Sequence, residues 1–299
     1  MKDGYILPLS AWGPEHEPPR IIILSLHGFN DYRMAFKDMA EVMAADGIMT
    51  YAYDQRGFGG TEGRGVWPGV EPLFKDARTV LALLRERYPD TPIYLLGKSM
   101  GGAVAINAMS TQPVPAIDGT ILVAPAVWAR QTMPWYQRLA LNIGSRFAPE
   151  RKITGRGVKV RASDNIEMLR GLGADPMVIK ETRIDAVHGL GNLMDAALAN
   201  VPGLTGKTLI LYGQKDQIIP HMPTCRMLER LPPVPPAQWR FVLYPEGYHM
   251  LTRDLQRSRV HQDISAWVRD MDQDLPSGLE TSRWQGLTKL CGKQAPPGT

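Results

Sequence analysis

Gly97-Lys98-Ser99-Met100-Gly101-Gly102 is the segment of this 299-residue chain whose residue types and spacing best suit covalent chemistry. A serine hydroxyl is a weak nucleophile until a neighbouring base takes its proton. A serine on a sharp strand-to-helix turn is held out where a substrate can reach it, and such a turn tolerates only small residues two positions to either side. Gly97 and Gly101 meet that demand, and Gly102, Ala103 and Ala105 let the following helix pack closely on a sheet. The competing reading is a helix start merely capped by Ser99.

The base has to be one of six histidines. His16 sits in a Pro-rich turn, His27 in a loop after an early apolar run, and His188 in a long central segment. His221 follows Pro220, and His261 falls in a terminal helical pattern. His249 alone lies in a short loop directly after the last apolar run, Arg240–Tyr244. An acid must orient that base. Asp216, in Leu211-Tyr-Gly-Gln-Lys-Asp, also follows an apolar run, although a lone Asp in a turn often only caps the backbone. The chain order serine, acid, histidine is that of triads built on a strand-to-helix nucleophile turn. Negative charge developing on a carbonyl oxygen needs two N–H donors. Met100, next to Ser99, supplies one, and Phe29, in Leu26-His-Gly-Phe-Asn-Asp31, supplies the other. His27 is read as organising that loop, and Gly28 as allowing close backbone approach.

These loops need a scaffold. Short apolar runs (Tyr5–Ser10, Arg20–Leu26, Thr50–Asp54, Ile93–Leu96, Thr120–Ala124, Thr208–Tyr212 and Arg240–Tyr244) alternate with helical patterns at Met34–Ala45, Pro72–Tyr88, Met100–Met109 and Ser258–Met271. That alternation predicts an α/β fold, a mostly parallel sheet with helices on both faces. Some eighty residues separate Ala124 from Thr208. Helical patterns at Trp135–Phe147, Asp164–Gly171, Asp175–Thr182 and Leu190–Leu198 make that stretch a helical cap insertion. The expected organisation is core 1–125, cap 126–205, core 206–272 and a flexible, Pro- and Gly-containing tail 273–299.

Composition excludes other classes. A net charge of +4 with acids and bases interspersed does not suit nucleic-acid binding. Apolar stretches fall short of the ~20 residues a membrane span requires, and the N-terminus lacks a leader-like apolar core, so a cytoplasmic protein is expected. Cys225 and Cys291 are expected as free thiols. No metal-ligand spacing appears, Asp54–Thr61 lacks the ending of a phosphate loop, and no cofactor is expected.

The motifs Leu-His-Gly-Phe-Asn-Asp, Asp-Gln-Arg-Gly-Phe-Gly, Gly-Lys-Ser-Met-Gly-Gly, Asp175-Pro176, Tyr-Gly-Gln-Lys-Asp and Gly-Tyr-His-Met resemble the monoacylglycerol lipase and lysophospholipase group of α/β hydrolases, which also takes in serine aminopeptidase-like sequences. The resemblance runs from about Asp3 to Met271. It implies the α/β-hydrolase fold, a Ser99–Asp216–His249 triad, ester hydrolysis through an acyl-enzyme, and a lid over an apolar acyl pocket. Lys98 departs from it, since the group most often has histidine there.

The cap is rich in large apolar residues: Trp128, Met133, Trp135, Leu139, Met168, Met177, Leu190, Leu193 and Met194. Most must pack cap helices together. Trp128, Met133 and Trp135, near the cap's start, are the candidates for lining a substrate pocket. Arg151, Lys152, Arg156, Lys159 and Arg161 form a basic stretch, read as a solvated loop or as a contact for anionic lipid. Two further functions remain open: an aminopeptidase or amidase, with Asp164, Glu167, Asp175 or Glu181 holding the substrate amine, and a binding protein that keeps the fold without catalysis.

Overall fold

The computed structural model describes residues 1, 3–155, 160–232 and 239–293. In chain order the elements are β1 (Leu9–Trp12), β2 (Ile21–Leu26), α1 (Lys37–Ala44), β3 (Ile48–Tyr53), α2 (Val70–Arg87), β4 (Ile93–Lys98), α3 (Met100–Ser110) and β5 (Gly119–Val123). Then come α4 (Trp135–Phe147), β6 (Lys152–Thr154), α5 (Ile166–Ala174), β7 (Glu181–Arg183) and α6 (Ile184–Asn200). The chain closes with β8 (Thr208–Gly213), α7 (His221–Arg230), β9 (Trp239–Tyr244), α8 (Arg257–Arg269) and α9 (Arg283–Cys291).

Among the described residues one seven-stranded sheet runs in the order β1-β3-β2-β4-β5-β8-β9, antiparallel only at the β1 edge. The central strands β2, β4, β5 and β8 are buried along their whole length, as strands covered on both faces must be. On one face α2, α3, α6, α7 and α9 bury Leu81, Val104, Leu198, Leu228 and Leu287. On the other, α1 and α8 bury Met39, Met43, Ile264 and Trp267. The expected α/β-hydrolase architecture is therefore present. β2, β4, β8 and β9 all deliver their C-terminal loops to the same edge of the sheet.

Several elements differ from the sequence reading. The first strand is Leu9–Trp12 rather than Tyr5–Ser10. No helix forms over Asp175–Thr182: the Asp175 side chain accepts the Met177 N–H at 2.8 Å, a local turn that competes with helix, and the chain then pairs as β7 with β6. α6 does not belong wholly to a cap, since Leu193, Ala197 and Leu198 are buried in the core beneath it. The tail read as flexible contains α9, opened by a Ser282–Gln285 capping box. α9 lies against α7 and brings Cys291 to Cys225, so the two cysteines read as free thiols form a disulfide with Cα atoms 6.6 Å apart. Arg156, Lys159 and 294–299 lie outside the described residues. No described helix is long and apolar enough to cross a membrane.

Candidate active site

Ser99 sits between β4 and α3 with φ 52° and ψ −116°, a left-handed-side backbone that a non-glycine residue adopts only under constraint. The constraint is visible in its neighbours. A Cβ on Gly97 would overlap the Gly101 carbonyl, and a Cβ on Gly101 would overlap the Leu26 carbonyl on β2. Only glycine lets β4, α3 and β2 approach this closely, and that approach fixes where Ser99 points.

His249, in the loop after β9, places Nε2 2.9 Å from Ser99 Oγ. Its Nδ1 lies 2.8 Å from Asp216 Oδ2, in the loop after β8. The other Asp216 oxygen accepts the Ile218 and Ile219 N–H groups at 2.8 and 2.9 Å, so the carboxylate is held from behind. Asp216 and His249 are both buried. Three residues separated by 117 and 33 positions thus form one hydrogen-bonded line.

Phe29 follows Gly28, whose Cα would carry a Cβ 3.4 Å from the Ser99 Cβ, so the loop after β2 lies against the serine. Met100 opens α3, where no carbonyl one turn back is available to its N–H. The loop after β2 is organised by His27. Its Nε2 accepts the Gln55 N–H at 2.9 Å, which leaves Nδ1 as the protonated nitrogen donating to the Gly28 carbonyl at 2.8 Å. Burial pushes the His27 pKa down, in keeping with a neutral ring. Asp54 holds its own glycine turn, pairing with Arg33 and accepting the Gly60 N–H at 2.7 Å.

Beside Ser99 and His249 opens a cavity of about 390 Å³. Trp128, Met133, Leu141, Leu190, Met194 and Ile219 make it mostly apolar, with Phe29 at the serine end. Of the three cap residues proposed from sequence, Trp128 and Met133 stand in this cavity wall. Trp135 does not. It is 68% exposed, absent from the cavity wall, and on the outer side of α4 with Leu139, Ile143 and Phe147. The spacing of four carries that row along one helix face, and the face turns to solvent. Sequence reading missed Leu141, Val187 and Ile218 as cavity residues, and also Asp31, which stands in the wall with Lys98. Among the described residues no three His, Cys, Asp or Glu gather as metal ligands.

A family model described as serine aminopeptidase, S33, matches residues 17–256. The chain belongs to that family. Over 270 residues it is 25% identical to a monoacylglycerol lipase of Mycolicibacterium smegmatis, covering 89% of this chain and 93% of that protein. It is 30% identical over 215 residues to a phospholipase of Bacillus subtilis, covering 70% and 80% respectively. A soluble variant of monoglyceride lipase from Saccharomyces cerevisiae, solved with a substrate analogue, superposes with a TM-score of 0.76 at 21% identity, covering 91% of this chain and 94% of that one. That likeness places the fold among the α/β hydrolases.

Proposed function

We propose that the protein is a serine hydrolase that cleaves carboxylic esters of lipid-like substrates, of monoacylglycerol or lysophospholipid type, through an acyl-enzyme. The observation that carries this reading is the Ser99–His249–Asp216 line opening directly onto an apolar cavity. In the reaction His249 Nε2 takes the Ser99 proton as Oγ attacks the ester carbonyl. Asp216 holds the His249 Nδ1–H and stabilises the imidazolium that forms. The Phe29 and Met100 N–H groups receive the oxyanion. His249 then protonates the departing alcohol, and water, deprotonated in turn by His249, releases the acid and restores Ser99. Names of relatives support the substrate class: monoacylglycerol lipase recurs among them, and one is a phospholipase.

The aminopeptidase alternative fits less well. None of Asp164, Glu167, Asp175 and Glu181 lines the cavity. The acid that does, Asp31, is already paired with Arg253 and Lys98. The exposed apolar row on α4, with Arg151 and Lys152 shortly after it, supports peripheral contact with an anionic lipid surface.

Ser99→Ala is the test. Turnover should fall by on the order of 10⁶ and fluorophosphonate labelling should vanish, with an unchanged thermal melt. Near-normal ester turnover in the variant would refute the assignment. Comparing kcat/KM for a monoacylglycerol, lysophosphatidylcholine and an aminoacyl anilide of matched size then separates the substrate classes.

A further inference from the structure

The end of β4 and the loops after β2 and β9, which meet at the site, each carry one member of a buried charged cluster. Lys98 immediately precedes Ser99. Asp31 lies two residues beyond Phe29. Arg253 lies four residues beyond His249. All three are buried, at 2%, 6% and 8% exposure. The Arg253 guanidinium donates to Asp31 Oδ2, and Lys98 Nζ lies 3.7 Å from the same oxygen. Asp31 Oδ1 accepts the Tyr32 N–H at 3.0 Å, and the Asp31 N–H donates to the Gly28 carbonyl at 3.2 Å, closing the turn that displays the Phe29 N–H. One carboxylate therefore gathers the loops bearing the nucleophile, an oxyanion donor and the base. Two further ionisable groups face Lys98: Asp254, which accepts the Tyr248 N–H at 2.8 Å, and His27.

We propose that Lys98 is a positioning residue for the reaction described above: in its charged form it acts through Asp31 to fix the Phe29 loop against Ser99. The inference rests on the ester-hydrolase reading. It does not require Lys98 to touch substrate. A buried ion pair is a poor way to gain stability, because desolvating the charges offsets much of their attraction, and apolar replacements are often neutral or stabilising. A purely structural site would be served as well by methionine. Placement of an oxyanion donor is a different matter, because its stabilising effect on the transition state falls off over fractions of an ångström.

The cluster also gives the proposal a pH signature. Burial, with Arg253 adding to it, pulls the Lys98 ammonium down to about 7 against the pull of Asp31 and Asp254. Burial opposes ionisation of Asp31, but Arg253 and Lys98 outweigh it and hold the carboxyl below its usual range. As pH rises through neutrality Lys98 loses its charge while Asp31 keeps its own. Asp31 then retains Arg253 alone, and the loop loosens.

The experiment compares kcat and KM from pH 5.5 to 9.5 for the wild type and Lys98→Met on a soluble short-chain ester, with thermal melts. It also measures the rate of fluorophosphonate labelling in wild type, Ser99→Ala and Lys98→Met. Wild-type kcat should fall on the alkaline side as Lys98 loses its charge. Lys98→Met should lower kcat on the order of tenfold to a hundredfold, change KM less than about threefold, abolish the alkaline fall and melt no lower than wild type. A kcat within twofold of wild type overturns the proposal, as does a loss of kcat that tracks a loss of folded protein. Should the variant not fold, the wild type still decides: kcat that stays level from pH 7.5 to 9.5 overturns it. Labelling that persists in Ser99→Ala refutes the ester-hydrolase reading itself. Labelling confined to Ser99 but equally fast in Lys98→Met refutes only the positioning role.

Discussion

Asp216→Asn gives the sharpest test of the hydrogen-bonded line, because the surroundings decide how the new amide must sit. Asp216 Oδ1 accepts two backbone N–H groups, from Ile218 and Ile219. Asparagine can keep both bonds only with its oxygen in that position, which turns the NH₂ toward His249 Nδ1. A donor facing Nδ1 forces the ring to accept there and to carry its proton on Nε2. That nitrogen then points N–H at Ser99 Oγ and cannot take the hydroxyl proton. Flipping the amide restores the right tautomer but sets NH₂ against two N–H donors, that of Ile219 buried and that of Ile218 half-buried. At about 1–3 kcal/mol for each unsatisfied group, the flip costs about 2–6 kcal/mol. Even the lower figure leaves roughly one molecule in thirty correctly arranged, since 1.4 kcal/mol is a factor of ten. Loss of kcat should lie between about thirtyfold and the ~10⁴ seen when such an acid is amidated elsewhere. The assay is kcat on p-nitrophenyl butyrate at pH 7.5, with a melt to establish folding. A loss below tenfold would refute the reasoning about the locked amide and move the orienting acid away from Asp216.

Two other perturbations separate residues that look alike in sequence. Trp128→Ala, on the cavity wall, should shift the preferred acyl length upward, with each added methylene worth about 0.8 kcal/mol or roughly fourfold in kcat/KM until the cavity fills; Trp135→Ala, on the outer face of α4, should leave that optimum in place and instead weaken co-sedimentation with anionic vesicles. A p-nitrophenyl ester series from acetate to laurate reads the first effect, and an optimum unmoved in Trp128→Ala removes it from the acyl site. Cys291→Ser opens a bridge spanning 66 residues; chain entropy puts the loss at about 4 kcal/mol, so the melting temperature should drop while kcat at 25 °C holds, and an unchanged melt would show that α9 needs no bridge.

The sheet and the three loops were legible because their signals are local. Ile21–Leu26 and Ile93–Leu96 are unbroken apolar runs, and Gly97-x-Ser-x-Gly marks its own turn. Asp216 and His249 could be picked out because each directly follows such a run. What failed was long-range. α9 was hidden because Gly278, Gly286, Gly292 and the prolines around it read as loop, and only its packing against α7 makes a helix there worthwhile. The bridge between Cys225 and Cys291 follows from that same packing. Trp135 went astray because a large aromatic residue carries no label for which side of its helix faces the core. The Lys98–Asp31–Arg253 cluster joins positions 67 and 155 residues apart and has no sequence signature at all.

The loop after β2 also grips segment 175–182. The Asn30 carbonyl accepts the Ile179 N–H at 3.0 Å, the Asn30 side chain donates to Thr182 at 2.7 Å, and the Tyr32 hydroxyl donates to Asp175 at 2.7 Å. Swinging segment 175–182 outward would break three hydrogen bonds, each worth about 0.5–1.5 kcal/mol, or drag the Phe29 loop away from Ser99. α4 has no fully buried side chain to hold it down. Segment 175–182 and the loop after β2, by contrast, are bolted into one piece, so that neither moves without the other.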